Sequence, residues 1–325
     1  MSTILKVSGL RVRLPTTTGL VTVVDGIDYE VQLGQVFGIA GESGSGKTIS
    51  VMALLGLLPD GAVVDGTAKF EGRDLLQLDR RELRDVRGSQ IAMVFQDPLT
   101  SLHPMMTIER QLTEHVRFHL GLDGAHARAR AIELLEEVRI PDPMGALGAF
   151  PHQFSGGMRQ RIAIAIALAC GPRILIADEP TTALDVTVQA GILRLLDRLR
   201  RQSGLSVIMI THDLGVMSSI ADQLTVMYAG RVVESGSAAE VLARPRHPYT
   251  GGLLAALPHP EAAEDTALIS IPGGPPNPAA RPTGCAFHPR CHYAVASCTT
   301  DIPALLNVDE GRRLACPVDP FMVRA

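Results

Sequence analysis

Apolar and polar positions partly alternate over residues 4–12 and 21–31, both rich in β-branched side chains, with a Thr- and Gly-containing turn between them. A period of two with such a turn predicts a β-hairpin or meander. Residues 35–40 form a short apolar strand that runs directly into Gly41-Glu42-Ser43-Gly44-Ser45-Gly46-Lys47-Thr48. A helical pattern follows over 49–58, and Pro59-Asp60-Gly61 is expected to end it. Between 96 and 152 the pattern turns helical, with helices expected over 107–120 and 125–138, which marks a helical subdomain. Beyond it come a buried helix (161–169), a buried parallel strand (174–177), an amphipathic helix (186–201) and another buried strand (206–210). Strands alternating with helices imply a doubly wound α/β core. A late hairpin is expected over 224–228 and 231–233, turning at Ala229-Gly230. From about residue 258 the composition shifts to Pro, Gly and Cys, marking a separate C-terminal element, and no internal repeat is present.

Composition narrows the classes. A chain of 325 residues with 46% hydrophobic and 20% charged residues suits one large globular domain with one or two appendages. A net charge of −4, no Trp and 4% aromatics argue against a nucleic-acid partner. The opening MSTILKVSGLRVRL lacks the pattern of a secretory signal, so the chain is expected to stay in the cytoplasm. The most apolar stretch, 162–177, is interrupted by Gly171-Pro172-Arg173 and cannot cross a bilayer as one helix. Membrane association is expected through partners.

Two motifs carry chemistry. Gly41 to Thr48 fits G-x-x-x-x-G-K-[ST] between a strand and a helix, the context in which glycines let backbone N–H groups converge on phosphate oxygens. Gly41, Ser43, Gly44, Ser45 and Gly46 form this cradle, Lys47 is expected to reach the β- and γ-phosphates, and Thr48 to ligate Mg²⁺. Downstream, Asp178 and Glu179 end the apolar run 174–177, at the strand end where α/β sheets bind ligands. Asp178 is expected to hold Mg²⁺, directly or through water, and Glu179 to orient and polarise the attacking water. Taken alone, the first motif also reads as a glycine-rich turn and the second as a helix-capping pair; together they describe a P-loop NTPase.

Phe154-Ser155-Gly156-Gly157-Met158-Arg159-Gln160 resembles the signature sequence of ATP-binding cassette (ABC) ATPases, with Phe154 where leucine is usual. Further family elements follow in order: Gln96 resembles the glutamine of the Q-loop, Ala183-Leu184-Asp185 the D-loop, and His212 the switch histidine. The resemblance covers residues 1 to about 257. It implies an α/β P-loop fold of ABC type with an N-terminal antiparallel β part and an inserted helical subdomain at about 97–160. It also implies two nucleotide-binding domains paired head to tail. Lys47, Thr48, Gln96, Asp178, Glu179 and His212 then serve one ATP, with Gln96 also a Mg²⁺ ligand beside Thr48 and Asp178, and Ser155, Gly156, Gly157 and Asp185 complete the site across the interface. Leu14 stands where many relatives place an aromatic residue against adenine. Residues near 97–106 are expected to transmit the motion to two transmembrane permease subunits.

Cys285, Cys291, Cys298 and Cys316 are spaced C-x5-C-x6-C-x17-C, while Cys170 stands alone in an apolar helix and reads as core packing. Four clustered cysteines without a secretory signal point to metal ligation rather than disulfides, and the spacing leaves zinc and iron-sulfur open. Val226 to Arg231, His247-Pro248-Tyr249-Thr250, Ile271-Pro272-Gly273 and Gly284 to Cys291 resemble the C-terminal extension of ATP-binding subunits from dipeptide, oligopeptide and nickel importers. That resemblance implies a 4Fe-4S cluster on the four cysteines, with structural zinc second. It places an ATP-binding domain at 1–257 and an importer extension at 258–325. It further implies a second, paralogous ATP-binding subunit, an extracytoplasmic substrate-binding protein, and a peripheral position at the cytoplasmic face of the membrane. A nickel cargo and a soluble ABC ATPase outside transport are the alternatives.

Overall fold

Leu5, Val7, Leu10 and Val12 are all buried along the first strand, although strict alternation from Leu5 would place Leu10 on the opposite face. A bulge between Ser8 and Arg11, with Gly9 at φ 59°, inserts one residue and restores the inward phase. The computed structural model describes residues 2–97, 101–182, 184–257 and 270–320. Its strands are β1 (Thr3–Thr16), β2 (Gly19–Gln32), β3 (Val36–Ala40), β4 (Val63–Phe70), β5 (Arg73–Asp74), β6 (Ile91–Val94), β7 (Ile174–Asp178), β8 (Ser206–Thr211), β9 (Gln223–Tyr228), β10 (Arg231–Ser237), β11 (Leu306–Asp309) and β12 (Arg312–Leu314). Two compact units emerge: the described residues of Ser2–Val31, Val36–Leu76 and Thr211–Ala325, and those of Gln32–Gln35 and Gln77–Ile210.

In the first unit, β1 and β2 form the expected hairpin within a sheet ordered β2-β1-β4-β5, where β4 runs antiparallel to β1. The strand β4 escapes a period-two reading because Asp65-Gly66 interrupts its alternation. A second set of strands in this unit runs β11-β12-β10-β9-β3, with β3 parallel to β9 and the others antiparallel. All five residues of β3 are buried, which explains its continuous apolar run. The helix after β3 spans Lys47–Leu54 and stops short of the expected 58. Gly56, at φ 58°, ends it: the N–H groups of Leu55 and Gly56 turn back to Met52 O and Ala53 O before the Pro59 segment is reached.

Residues 270–320 fold within this same unit. Arg312–Leu314 pairs with β10 at Glu234↔Leu314 and Ser235↔Arg313. Tyr228, Tyr249 and Phe287 form an aromatic cluster with ring centroids 4.6 to 5.4 Å apart.

The second unit holds the parallel strands β6, β7 and β8, with β7 central and wholly buried. Helix Ile108–Leu120 starts on the Thr107 cap and stops at Gly121 (φ 65°), and helix Gly124–Glu137 starts on the Asp123 cap. Their stripes Ile108, Leu112, Val116 and Ala127, Ala131, Leu134 recur at helical spacing and pack the two together. Helix Gly156–Leu168 begins five residues before the expected 161 because the Ser155 hydroxyl accepts the Met158 N–H at 3.3 Å and caps it. Among the described residues, no helix is long and apolar enough to cross a membrane.

Candidate functional site

Gly41 leaves β3 at φ 150°, where a Cβ would lie 2.2 Å from the Met227 carbonyl oxygen, so only glycine fits. Gly46 has φ 97°, and a Cβ there would approach the Val23 carbonyl oxygen to 2.9 Å. The chain between them turns tightly, with the Ser45 N–H donating to Glu42 O at 3.2 Å, and Ser43 and Gly44 remain exposed at its tip. Lys47 is only 5% exposed. Its ammonium donates to Gly41 O at 2.7 Å and Glu42 O at 2.9 Å, so the cation sits inside the loop's own backbone. Thr48 follows in the first helical turn, half-buried. Leu14, on β1 of this unit, is half-buried.

Glu42 is fixed at three points. Its N–H donates to the Tyr249 hydroxyl at 2.7 Å, its carbonyl accepts from Lys47, and its carboxylate receives both guanidinium nitrogens of Arg290 at 2.7 and 3.0 Å. Hydrogen bonding to Glu42 raises the pKa of Arg290 above its ordinary value, and burial pushes the Tyr249 phenol up. Tyr249 and Arg290 stand in the motifs His247 to Thr250 and Gly284 to Cys291, yet nothing in their spacing assigns them to this loop. Local pattern alone offers no sign of a contact 248 residues long.

In the other unit, Asp178 ends β7 with 4% exposure and Glu179 follows at φ 45°, an uncommon conformation for a carboxylate residue. The turn is held by the Glu179 N–H donating to Ile210 O at 2.8 Å. Glu179 Oε2 accepts from Gln96 Nε2 at 3.0 Å and from the Thr182 hydroxyl at 2.8 Å. The structure thus brings Gln96 and Glu179 together, and adds Thr182, which the sequence reading passed over. Ser155 caps the helix whose first turn holds Gly156 and Gly157. A Cβ on Gly157 would meet Val188 at 2.5 Å, so this turn packs closely on the helix Val186–Ser203 that Asp185 caps. Ala183 of the expected D-loop and Pro98 to Thr100 of the expected coupling segment lie outside the described residues. His212 belongs to the first unit, where it is exposed, and the neighbouring Asp213 N–H donates to the Thr211 hydroxyl at 3.0 Å.

The cysteine tail corrects an expectation. Among the described residues, no group of three or more His, Cys, Asp or Glu side chains is arranged to hold a metal ion, so neither the 4Fe-4S cluster nor its zinc alternative on Cys285, Cys291, Cys298 and Cys316 is supported. All four are free thiols, Cys298 buried and the others half-buried. Burial pushes the thiols of Cys285, Cys291 and Cys316 up, which favours the protonated form over the thiolate that ligates metal. The segment closes on itself instead. The Cys285 N–H donates to Cys298 O at 2.9 Å, the His288 N–H to Cys285 O at 3.0 Å, and Phe287 and Arg290 anchor it in the aromatic cluster and on Glu42. Cysteine spacing along the chain carried no information on how those thiols are arranged in space.

Two family models match the chain: "ABC transporter" over residues 24–182 and "Oligopeptide/dipeptide transporter, C-terminal region" over 233–298. The oligopeptide transport ATP-binding protein OppD of Haemophilus influenzae is 47% identical, over 97% of this chain and 97% of its own. The dipeptide transport ATP-binding protein DppD of Escherichia coli is 46% identical, over 97% of each chain. Among solved structures, the ATP-binding cassette MJ0796 in a dimeric post-hydrolysis state bound to ADP and Pi matches with a TM-score of 0.65 at 27% identity, covering 72% of this chain and 98% of that one. The protein cbiO1 of Clostridium perfringens, part of the ABC transporter complex cbiONQ, matches with a TM-score of 0.64 at 28% identity, covering 75% of this chain and 92% of that one. These likenesses confirm the expected α/β cassette with its antiparallel β part, and the chain belongs to the ABC transporter ATP-binding family, in its oligopeptide/dipeptide branch.

Proposed function

We propose that this chain is the ATP-hydrolysing subunit that powers uptake of di- and oligopeptides through an ABC importer. The observation that carries the reading is the likeness, over nearly the whole chain and including the C-terminal region, to oligopeptide and dipeptide transport ATP-binding proteins. In this reading residues 1–257 form the ATP-binding domain, with the helical subdomain at about 97–160, and 258–325 the importer extension. Its partners are two permease subunits, a second and paralogous ATP-binding subunit, and an extracytoplasmic binding protein that delivers cargo. The chain sits peripherally at the cytoplasmic face of the membrane.

The loop Gly41, Ser43, Gly44, Ser45 and Gly46 offers N–H donors to the phosphates. Lys47 exchanges its carbonyl partners for phosphate oxygens when ATP arrives. The Thr48 hydroxyl, the Asp178 carboxylate and the Gln96 amide are hard oxygen donors of the kind Mg²⁺ takes. When bound, the ion neutralises charge developing on the transferred phosphoryl group. Glu179 accepts a proton from the attacking water, and the Gln96 and Thr182 hydrogen bonds hold its carboxylate in one orientation for that task. His212 orients the γ-phosphate, Leu14 contacts adenine, and Ser155, Gly156, Gly157 and Asp185 act on the nucleotide of the paired subunit.

The test is gene deletion with complementation by wild type or Glu179→Gln, measuring uptake of labelled di- and oligopeptides beside labelled nickel. Peptide uptake restored by wild type alone supports the reading. Restored nickel uptake alone makes the cargo wrong, and uptake independent of the gene overturns the importer assignment.

A further inference from the structure

Glu42 places a carboxylate on the second residue of the phosphate loop, which is an awkward charge to have there. ATP brings several negative charges to the backbone N–H groups that flank this residue, and an unpaired carboxylate would repel them. The structure pairs it. Arg290 delivers both terminal guanidinium nitrogens to the two Glu42 oxygens, at 2.7 and 3.0 Å. The fork is held rigidly from behind. Arg290 Nε donates to Pro272 O at 2.8 Å, Nη1 also to the Tyr228 hydroxyl at 3.2 Å, and the guanidinium lies 5.8 and 5.9 Å from the ring centres of Tyr228 and Phe287. Arg290 is only 7% exposed while the Glu42 side chain keeps 25%, so the pair is partly shielded from solvent. The same Glu42 gives its N–H to Tyr249 and its carbonyl to Lys47, so one residue joins the C-terminal segment to the lysine of the loop.

We propose that Arg290 is a positioning residue for ATP, neutralising and orienting Glu42 so that the phosphate loop meets the nucleotide with no free carboxylate. This rests on the nucleotide-binding reading above and extends it, because it gives the importer-type C-terminal segment a part in nucleotide affinity. Stapling the segment to the loop for stability alone is the competing account, and the two differ in what removal of Glu42 does. If charge is the issue, removing the carboxylate repairs the loss of the arginine. A staple that has lost both ends stays broken.

The experiment compares wild type, Arg290→Gln, Arg290→Lys, Glu42→Gln and the double variant Glu42→Gln/Arg290→Gln. Full-length chains are titrated with a fluorescent ATP analogue and Mg²⁺, and KM for ATP and kcat are measured in the assembled transporter. Arg290→Gln is expected to raise Kd and KM about tenfold with kcat within about twofold, as one uncompensated charge near the phosphates would do. Arg290→Lys recovers part of the loss, and the double variant returns Kd to within about twofold of wild type. If Arg290→Gln does not fold, the neutral and similarly long Arg290→Met, alone and combined with Glu42→Gln, carries the same comparison. An unchanged Kd in Arg290→Gln, or a loss that Glu42→Gln does not repair, overturns the proposal. Failure of the wild type itself to bind ATP overturns the nucleotide reading, and this inference with it.

Discussion

Glu234 and Arg312 form an ion pair at 2.6 Å in which the carboxylate is fully enclosed and the arginine 5% exposed. Glu234 lies on β10 and Arg312 on the C-terminal hairpin strand that pairs with it. The carboxylate also accepts the N–H groups of Arg246 and His247 at 2.9 and 3.0 Å, so its lone pairs are well used. Removing one partner of such a pair strands the other charge away from water, which costs more than the pair itself contributes. Arg312→Met is therefore expected to destabilise the chain by about 3–5 kcal/mol. Denaturant unfolding checks this, and Glu234→Gln/Arg312→Met together should cost less than Arg312→Met alone.

Glu179→Gln keeps the side-chain volume and its capacity to accept from Gln96 and Thr182, but loses the negative charge that, in the proposed function, takes up a proton from the attacking water. Phosphate release is expected to fall about 10²- to 10⁴-fold, the contribution of a general base, with ATP affinity within about twofold of wild type. Parallel measurement of turnover and equilibrium ATP binding in the assembled transporter separates the two effects.

Gly41→Ala drives a methyl group into the Met227 carbonyl, 2.2 Å from the ideal Cβ, at a φ that side-chain-bearing residues avoid. The strain is expected to cost about 1–3 kcal/mol and to disturb the cradle that ends at Lys47. Loss of ATP binding with a lowered Tm is the expected result, read by nucleotide titration and calorimetry.

His247 is buried at the start of helix Pro248–Ala255, where its Nδ1 accepts the Tyr249 N–H at 3.0 Å. Burial pulls its pKa down to about 3 from 6.5. The folded chain thus keeps this ring neutral while the unfolded chain protonates it below pH 6.5. Between those values the unfolded state binds more protons, so stability falls as pH falls, by at most about 1.4 kcal/mol per pH unit from this group. His247→Asn retains a capping oxygen and does not titrate. Chemical denaturation at pH 7, 6, 5 and 4 should show a shallower acid loss in the variant than in wild type.

Local signals were legible without a structure wherever the relevant atoms are neighbours in the chain. The phosphate loop is one such case, because strand, glycines, lysine and helix start follow within a few residues and their backbone geometry is set locally. Asp178 and Glu179 are another, since the buried run before them places both at a strand end. The hairpin of β1 and β2 was visible in its alternation, although the bulge at Gly9 that corrects the inward phase was not. Where a helix begins was less legible: the apolar run placed the start at 161, whereas the Ser155 hydroxyl caps the Met158 N–H and the helix starts at Gly156.

What only the tertiary structure decided are the contacts between residues far apart in sequence. Gln96 meets Glu179 across 83 positions and Glu42 meets Arg290 across 248, and no periodicity encodes either meeting. The cysteine tail shows the same limit from the other side, since close spacing in the chain did not assemble a metal-holding group among the described residues. Spacing along a chain sets which atoms share a turn or a strand. How those elements pack decides which side chains finally touch, and packing is a property of the whole buried interior, where hydrophobic burial and the satisfaction of every polar group are settled together.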